Sequence, residues 1–280
     1  MIISIASGKG GTGKTTVAVS LALALKDVRP VQFLDCDVEE PNAHFFLKPH
    51  IAQTRTVCLP IPEIRKDRCT YCGKCAEICA YNALAVLKDN VLVFPELCHG
   101  CGGCSLLCPE NAIQEKGYRI GVIESGSAGS IPFAHGRLDI GQAMSPPLIR
   151  AVKKTLKSDH TVIIDAPAGT SCPVVESVKG STLSLLVTEP TPFGLNDLQI
   201  TVETLKVLEI PLGVIINRSD GNDKLIRDYC RVENVPILMT IPLDRSIAVA
   251  YSEGKTILET QPLYKEKFLN LFDQIQNFIK

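Results

Sequence analysis

Residues 8–16 read Gly-Lys-Gly-Gly-Thr-Gly-Lys-Thr-Thr, between an apolar run over 1–6 and a second one over 17–25. These types at this spacing suit one task, the grip on a polyphosphate. Gly8, Gly10, Gly11 and Gly13 let successive backbone N–H groups close on an anion without Cβ clashes. Lys14 supplies a point charge for the β- and γ-phosphates and Thr15 a hydroxyl for Mg²⁺, with Thr12 and Thr16 completing the nucleotide-binding loop. The order strand, glycine loop, helix also aims the positive end of a helix at the anion. Gly8, Gly10 and Gly13 satisfy the dinucleotide pattern G-x-G-x-x-G as well. That turn has no use for a lysine followed by a metal-binding hydroxyl, so the nucleoside triphosphate reading is preferred.

Eight of the twelve cysteines fall in two runs, Cys69-x-x-Cys72-x-x-Cys75-x-x-x-Cys79 and Cys98-x-x-Cys101-x-x-Cys104-x-x-x-Cys108-Pro109. The second repeats the first at an offset of 29 residues, which also pairs Gly73 with Gly102, Asn82 with Asn111 and Ala83 with Ala112. This is the spacing of bacterial two-cluster ferredoxins. The short gaps wrap three thiolates round one corner of a cubane, and the fourth cysteine lies on a following turn that faces the other cluster. Cys69, Cys72, Cys75 and Cys108 are therefore expected to hold one [4Fe–4S] cluster, and Cys98, Cys101, Cys104 and Cys79 the second. Zinc, the competing metal, favours Cys-x₂-Cys pairs separated by a finger, which two tandem four-cysteine runs do not resemble. Ala80 stands where a proline is expected after Cys79, which bears on the relative potentials of the clusters. The other thiols, Cys36, Cys58, Cys172 and Cys230, read as buried structural cysteines.

These sites need a scaffold, and 280 residues allow one large α/β domain with a small module. A net charge of −1 gives no argument for nucleic acid or an anionic membrane, and the absence of Trp leaves base stacking unsupported. No apolar run reaches a membrane span, and Met1 leads straight into a core strand, so a cytoplasmic protein without a leader is expected. In that compartment cysteines serve metals more than disulfides. Strands are expected over 1–6, 31–35, 56–59, 118–124, 161–165, 184–188, 212–216 and 236–241, with helices over 13–26, 146–157 and 193–208. Pro60 and Pro62 read as breaks, and the Gly/Ser-rich stretch 125–145 as a loop or lid. The alternation predicts a doubly wound, mostly parallel α/β sheet. It divides into a first part, 1–62, an inserted ferredoxin-like α+β domain, 63–116, and a second part, 117–280. Asp35 and Asp37 fall at a strand end, where ligand residues belong in such a sheet, and Asp35 is placed to hold a Mg²⁺-bound water. Tyr264, Phe268, Leu271, Phe272, Ile275 and Ile279 share a helical face; its polar side mixes both charge signs, so packing on the domain's own sheet is expected over a membrane.

Lys9, a second lysine at the start of the loop, resembles the deviant Walker A ATPases: the MinD/ParA/Mrp group and the nitrogenase iron protein. Taken whole, the chain resembles MinD/Mrp-type P-loop ATPases that carry an inserted two-cluster ferredoxin. The resemblance implies a homodimer on ATP binding, with Lys9 reaching the partner's nucleotide as an arginine finger would. It implies that Asp37 orients the attacking water. Asp165, in Asp165-Ala166-Pro167-Ala168-Gly169, resembles Walker B and would hold the Mg²⁺ shell, while the Gly169 N–H would sense the γ-phosphate. Asn217 would read adenine. Asn217-Arg218-Ser219-Asp220 is also close to the guanine-reading Asn-Lys-x-Asp, so the letters leave ATP and GTP both open. Cys172 sits where the nitrogenase iron protein has a cluster ligand, but no second match accompanies it. Three functions follow. One is an ATPase that couples dimer rearrangement to electron transfer through two [4Fe–4S] clusters, with a redox partner protein as donor or acceptor. The others are a cluster or metal carrier of Mrp type and a MinD-like positioning ATPase with redox-sensing clusters. Eight ligands in closed ferredoxin sets suit stable, electron-carrying clusters, so the first is expected.

Overall fold

Strands rich in Ile, Val and Leu alternate with helices in the computed structural model, which describes residues 1–279. The chain runs β1 (Ile2–Ser7), α1 (Lys14–Leu25), β2 (Val31–Asp35), α2 (Ala43–Leu47) and β3 (His50–Ile64). It continues through α3 (Lys74–Glu77), β4 (Leu84–Val86), β5 (Val91–Val93) and α4 (Gly103–Leu106). After these come β6 (Ile113–Ala128), β7 (Ile131–Leu138), α5 (Pro146–Lys153), β8 (Thr161–Ala168), α6 (Cys172–Val178) and β9 (Leu183–Thr188). It ends with α7 (Pro192–Val207), β10 (Leu212–Ser219), α8 (Lys224–Val232), β11 (Ile237–Pro242), α9 (Arg245–Ser252), α10 (Ile257–Thr260) and α11 (Tyr264–Ile279).

Nine strands form one sheet in the order β11-β10-β9-β1-β8-β2-β7-β6-β3. Neighbours from β11 to β7 pair in parallel, and β6 and β3 add an antiparallel edge. The mostly parallel α/β expectation holds. Parallel strands buried on both faces read as continuous apolar runs, as in β8 and β9, where the Ile, Leu and Val side chains are fully buried. One face is covered by α1 and α11, whose Leu21, Leu25, Phe268 and Phe272 meet Ile3, Ile5 and Phe33 in a single apolar cluster. Helices α5, α6, α7 and α8 cover the other. Tyr264, Phe268, Leu271, Phe272 and Ile275 of α11 are buried, so its apolar face packs into its own domain, as expected. No helix among the described residues is long and apolar enough to cross a membrane.

Three expectations need correction. Residues 125–145 are a loop only in their last part, 139–145: β6 extends to Ala128, a tight turn follows, and β7 occupies 131–138 inside the sheet, between β2 and β6. Gly126 and Gly136, two of the glycines that suggested a loop, serve close packing instead. A Cβ on Gly136 would sit 2.6 Å from Val38 and 3.0 Å from Val152. Pro60 and Pro62 do not break β3 but lie within it, opposite Gly117 and Glu115. They are two residues apart on an edge strand, so their nitrogens face the open side, where no ladder donor is needed. Finally, of the four cysteines outside the two runs, Cys58 and Cys172 are exposed, and Cys36 and Cys230 are buried. Cys58 sits on the edge strand and Cys172 opens α6 at the surface.

Only residues 121–128 of β6 pair with β7, whereas β3 accompanies β6 along its whole length. The outer half of the β3/β6 pair therefore leaves the sheet as a two-stranded ribbon. At the point of departure the register slips, Val57 facing Gly121 but Cys58 facing Arg119. The ribbon carries the cysteine-rich segment, which has its own hairpin, β4 against β5. A small apolar cluster of Leu84, Val91, Cys104 and Ile113 sits beneath it. The sequence repeat is also a backbone repeat. Gly73 and Gly102, and Asn82 and Asn111, all take positive φ, and Asn is the non-glycine residue that tolerates this best.

Candidate functional site

The carboxyl ends of β1, β2, β8, β9 and β10 lie along one edge of the sheet, and the glycine loop joins that edge to α1. Gly13 caps α1 with φ 95°. A Cβ there would strike the Asn217 amide nitrogen at 2.3 Å. Asn217 stands so close because its Nδ2 donates to the Thr12 carbonyl at 2.7 Å, so the end of β10 braces the loop. Thr12, Lys14 and Thr15 are buried despite their polarity. Beside them opens a cavity of about 1030 Å³, counting its mouth, which runs from Gly11, Lys14 and Thr15 past Asn217 to Asp244 and Tyr251. The one acid that lines it, Asp244, is committed, accepting from the Ser246 N–H, the Ser246 hydroxyl and the Gln261 amide.

Asp35 and Asp165 are register partners on β2 and β8 and are both fully buried. Asp165 Oδ2 accepts from Thr15 Oγ1 at 2.6 Å, while its Oδ1 is buried without a partner. Burial pushes the Asp165 carboxyl up to about 6, against the pull of Lys14. An orphaned carboxylate oxygen beside a threonine hydroxyl fits the oxygen-rich shell of a hard cation such as Mg²⁺. Asp35 is differently employed. Its carboxylate accepts from the N–H groups of Asp37, Asn42 and Ala43 at 3.1, 3.2 and 3.1 Å. It thereby fixes the segment between β2 and α2; burial and the nearby Asp165 hold its carboxyl well above the usual range. Asp37 Oδ2 lies 4.0 Å from Lys14 Nζ, and burial raises its carboxyl to about 6 although Lys14 opposes this.

Two residues are engaged otherwise than expected. The Gly169 N–H donates to the Ser7 carbonyl at 2.9 Å, because the parallel pairing of β1 with β8 continues to Ser7 opposite Ala168. Lys9 turns back to its own chain, its Nζ 3.0 Å from Glu189 Oε2. Glu189, which also pairs with Arg218, escaped motif reading, although an acid one residue past a parallel strand end was signal enough to flag it. A second missed group is His135, whose Nε2 lies 2.8 Å from Glu124 Oε2, with the His44 ring 5.3 Å away. Burial lowers the pKa of both imidazoles.

Cys69, Cys72, Cys75 and Cys108 border one cavity in the cysteine-rich segment, and Cys79, Cys98, Cys101 and Cys104 border another. These are the two crossed sets of four. Cys79 Sγ accepts from the Ala83 N–H at 3.3 Å and Cys108 Sγ from the Ala112 N–H at 3.2 Å. Cys98 Sγ accepts from the Gly100 N–H at 3.4 Å. Among the described residues no three Cys, His, Asp or Glu side chains converge closely enough to hold a single metal ion.

A glycine loop closing on a helix at the carboxyl edge of a parallel sheet, with a buried acid bonded to its threonine, defines a P-loop nucleotide-binding protein. The chain belongs to the CobQ/CobB/MinD/ParA nucleotide-binding family, whose domain model matches residues 3–257. It is 32% identical to an uncharacterised protein of Methanocaldococcus jannaschii, MJ0578, over 100% of this chain and 98% of that one. It is 21% identical to an iron–sulfur cluster carrier protein of Helicobacter pylori over 93% of this chain and 62% of the carrier. The septum site-determining protein MinD of Pyrococcus horikoshii, solved with Mg-ADP, has the same fold. It has a TM-score of 0.60 and 23% identity, over 98% of this chain and 95% of that one.

Proposed function

We propose that the protein is a Mg²⁺-dependent ATPase that dimerises on ATP and uses its nucleotide state to govern electron transfer through two [4Fe–4S] clusters in the segment 63–116. The observation that carries this reading is the presence, in one chain with a complete P-loop, of two cavities each bordered by one crossed set of four cysteines. Thiols spread round a volume suit a polynuclear cluster. The N–H groups of Ala83, Gly100 and Ala112 stabilise thiolate charge at Cys79, Cys98 and Cys108. When bound, the clusters supply one-electron storage and transfer.

The nucleotide chemistry falls to residues of the loop and the strand ends. The loop N–H groups and Lys14 bind the phosphates, and Thr15 and Asp165 would hold Mg²⁺, which would supply charge neutralisation there. Asp37, ionised beside Lys14, orients the attacking water and accepts its proton. Lys9 of a second copy neutralises charge on the transferring phosphate. The ribbon of β3 and β6 joins this centre to the cysteine segment.

Cluster delivery is the second reading. It is favoured by the likeness to the Helicobacter pylori carrier and by the exposure of Cys72 and Cys101. A positioning role of MinD type finds less support, because the apolar face of α11 is already buried. Redox titration with and without MgATP separates these readings. About eight iron atoms per chain, and a potential or transfer rate that changes with nucleotide, are the expected results. An unchanged potential with clusters passed to an apo-protein would establish the carrier instead, and purified protein without iron would end both readings.

A further inference from the structure

We infer that Glu189 is a positioning residue that parks Lys9 on its own subunit until a polyphosphate displaces it. This rests on the reading of Lys9 as a residue that acts across a dimer. Glu189 directly follows β9, and its side chain is only 12% exposed. It holds two cations, Lys9 Nζ at 3.0 Å and the Arg218 guanidinium in close contact. Arg218 adopts a left-handed backbone, φ 54°, which a non-glycine residue takes up only at some cost. Its N–H donates to Asn217 Oδ1 at 3.0 Å, and Asn217 Nδ2 in turn donates to the Thr12 carbonyl. The contacts form a closed ring that leaves the glycine loop at Lys9 and returns to it at Thr12. Asn217 and Arg218 also line the nucleotide cavity.

The ring has one carboxylate between two cations. Among the described residues Glu189 is the one carboxylate within 4.0 Å of either cation, and Lys9 is held back along the loop. A triphosphate brings several negative charges to the same place and competes for Arg218 and for Lys9. Glu189 therefore opposes nucleotide-driven dimerisation, and it sets the ATP concentration at which Lys9 becomes free to leave its own subunit.

The test uses full-length Glu189→Gln, which keeps the shape and removes the charge. In nucleotide-free protein, amine labelling of Lys9, followed by mass spectrometry, should rise severalfold over wild type. The ATP concentration for half-dimerisation, followed by analytical ultracentrifugation, should fall about two- to fivefold, the scale of a partly exposed ion pair. Combining Glu189→Gln with Lys9→Ala should abolish that shift, and Glu189→Asp should fall between wild type and Glu189→Gln. Unchanged Lys9 labelling, or an ATP requirement that stays the same or rises, overturns the inference. A Lys9→Ala protein that dimerises and hydrolyses ATP normally would instead remove the dimer reading of Lys9, while the labelling result would still report whether Glu189 holds it.

Discussion

Thr15 Oγ1 donates to Asp165 Oδ2 at 2.6 Å, tying the first turn of α1 to β8 while Asp165 Oδ1 stays buried and unpaired. The pair joins the phosphate loop to the acid that faces it, and it leaves one oxygen free for a cation. Asp165→Asn keeps the shape and removes the charge. ATP hydrolysis should drop at least about 100-fold, with a much higher Mg²⁺ requirement, while the melting temperature is unchanged or raised because a buried carboxylate is gone. Hydrolysis within a few-fold of wild type would remove Asp165 from the metal shell.

The Asp37 and Asp165 carboxyls both stand near 6 rather than 3.8. Between these values the folded protein holds protons that the unfolded chain has released. Their contribution is thus fully present below about pH 4, shrinks as pH rises, and is gone above about pH 6. In metal- and nucleotide-free protein each should contribute at most about 1–3 kcal/mol to that loss. Urea denaturation of Asp37→Asn should show a weaker fall across this window. Hydrolysis by wild type should run the other way, rising through pH 6 as Asp37 ionises. A rate that is flat from pH 5 to 7 would argue against Asp37 as base.

The crossed arrangement of the cysteines is open to iron counting. Cys79 and Cys98 border the same cavity although they belong to different sequence runs. Cys79→Ser and Cys98→Ser should each leave about four iron atoms per chain, and the double variant should still hold about four. If each run instead held its own cluster, the double variant would lose nearly all its iron.

Phe268 is fully buried where α11 meets the sheet, and it also lines the nucleotide cavity. Phe268→Ala should cost about 3–5 kcal/mol in urea denaturation and weaken ATP binding. A cost below about 1 kcal/mol would mean that α11 does not seal the core.

Much of this architecture is legible in the letters because it rests on backbone demands. The glycine loop, the paired Asp35 and Asp165 at strand ends and the repeat of Gly73 with Gly102 each encode a conformation or a charge that few residues can supply. What escapes is set by neighbours distant in sequence. β7 reads as loop because Gly136 answers to Val38 and Val152, not to local propensity. The Gly169 N–H reads as free because its partner, the Ser7 carbonyl, lies far away in sequence. Glu189 is silent because no spacing rule links it to Lys9 or Arg218. Tertiary pairing, invisible to periodicity, decides all three.

The register slip between Val57 and Cys58 leaves Ile120 as an extra residue, buried among the side chains under α5. The Ile120 carbonyl accepts from the Asp139 N–H at 2.9 Å, and Arg119 pairs with Asp139 at 2.7 Å. A bulge of this kind bends and twists a strand pair. Here it serves as a fulcrum clamped to the end of β7. The seven residues of β3 beyond it reach roughly 23 Å, so a tilt of about 10° at the root would swing the tip by roughly 4 Å. Small movements at the sheet edge are thereby magnified at the far end of the arm, and under the proposed electron-transfer role the gap to a docked redox protein would become a mechanical variable.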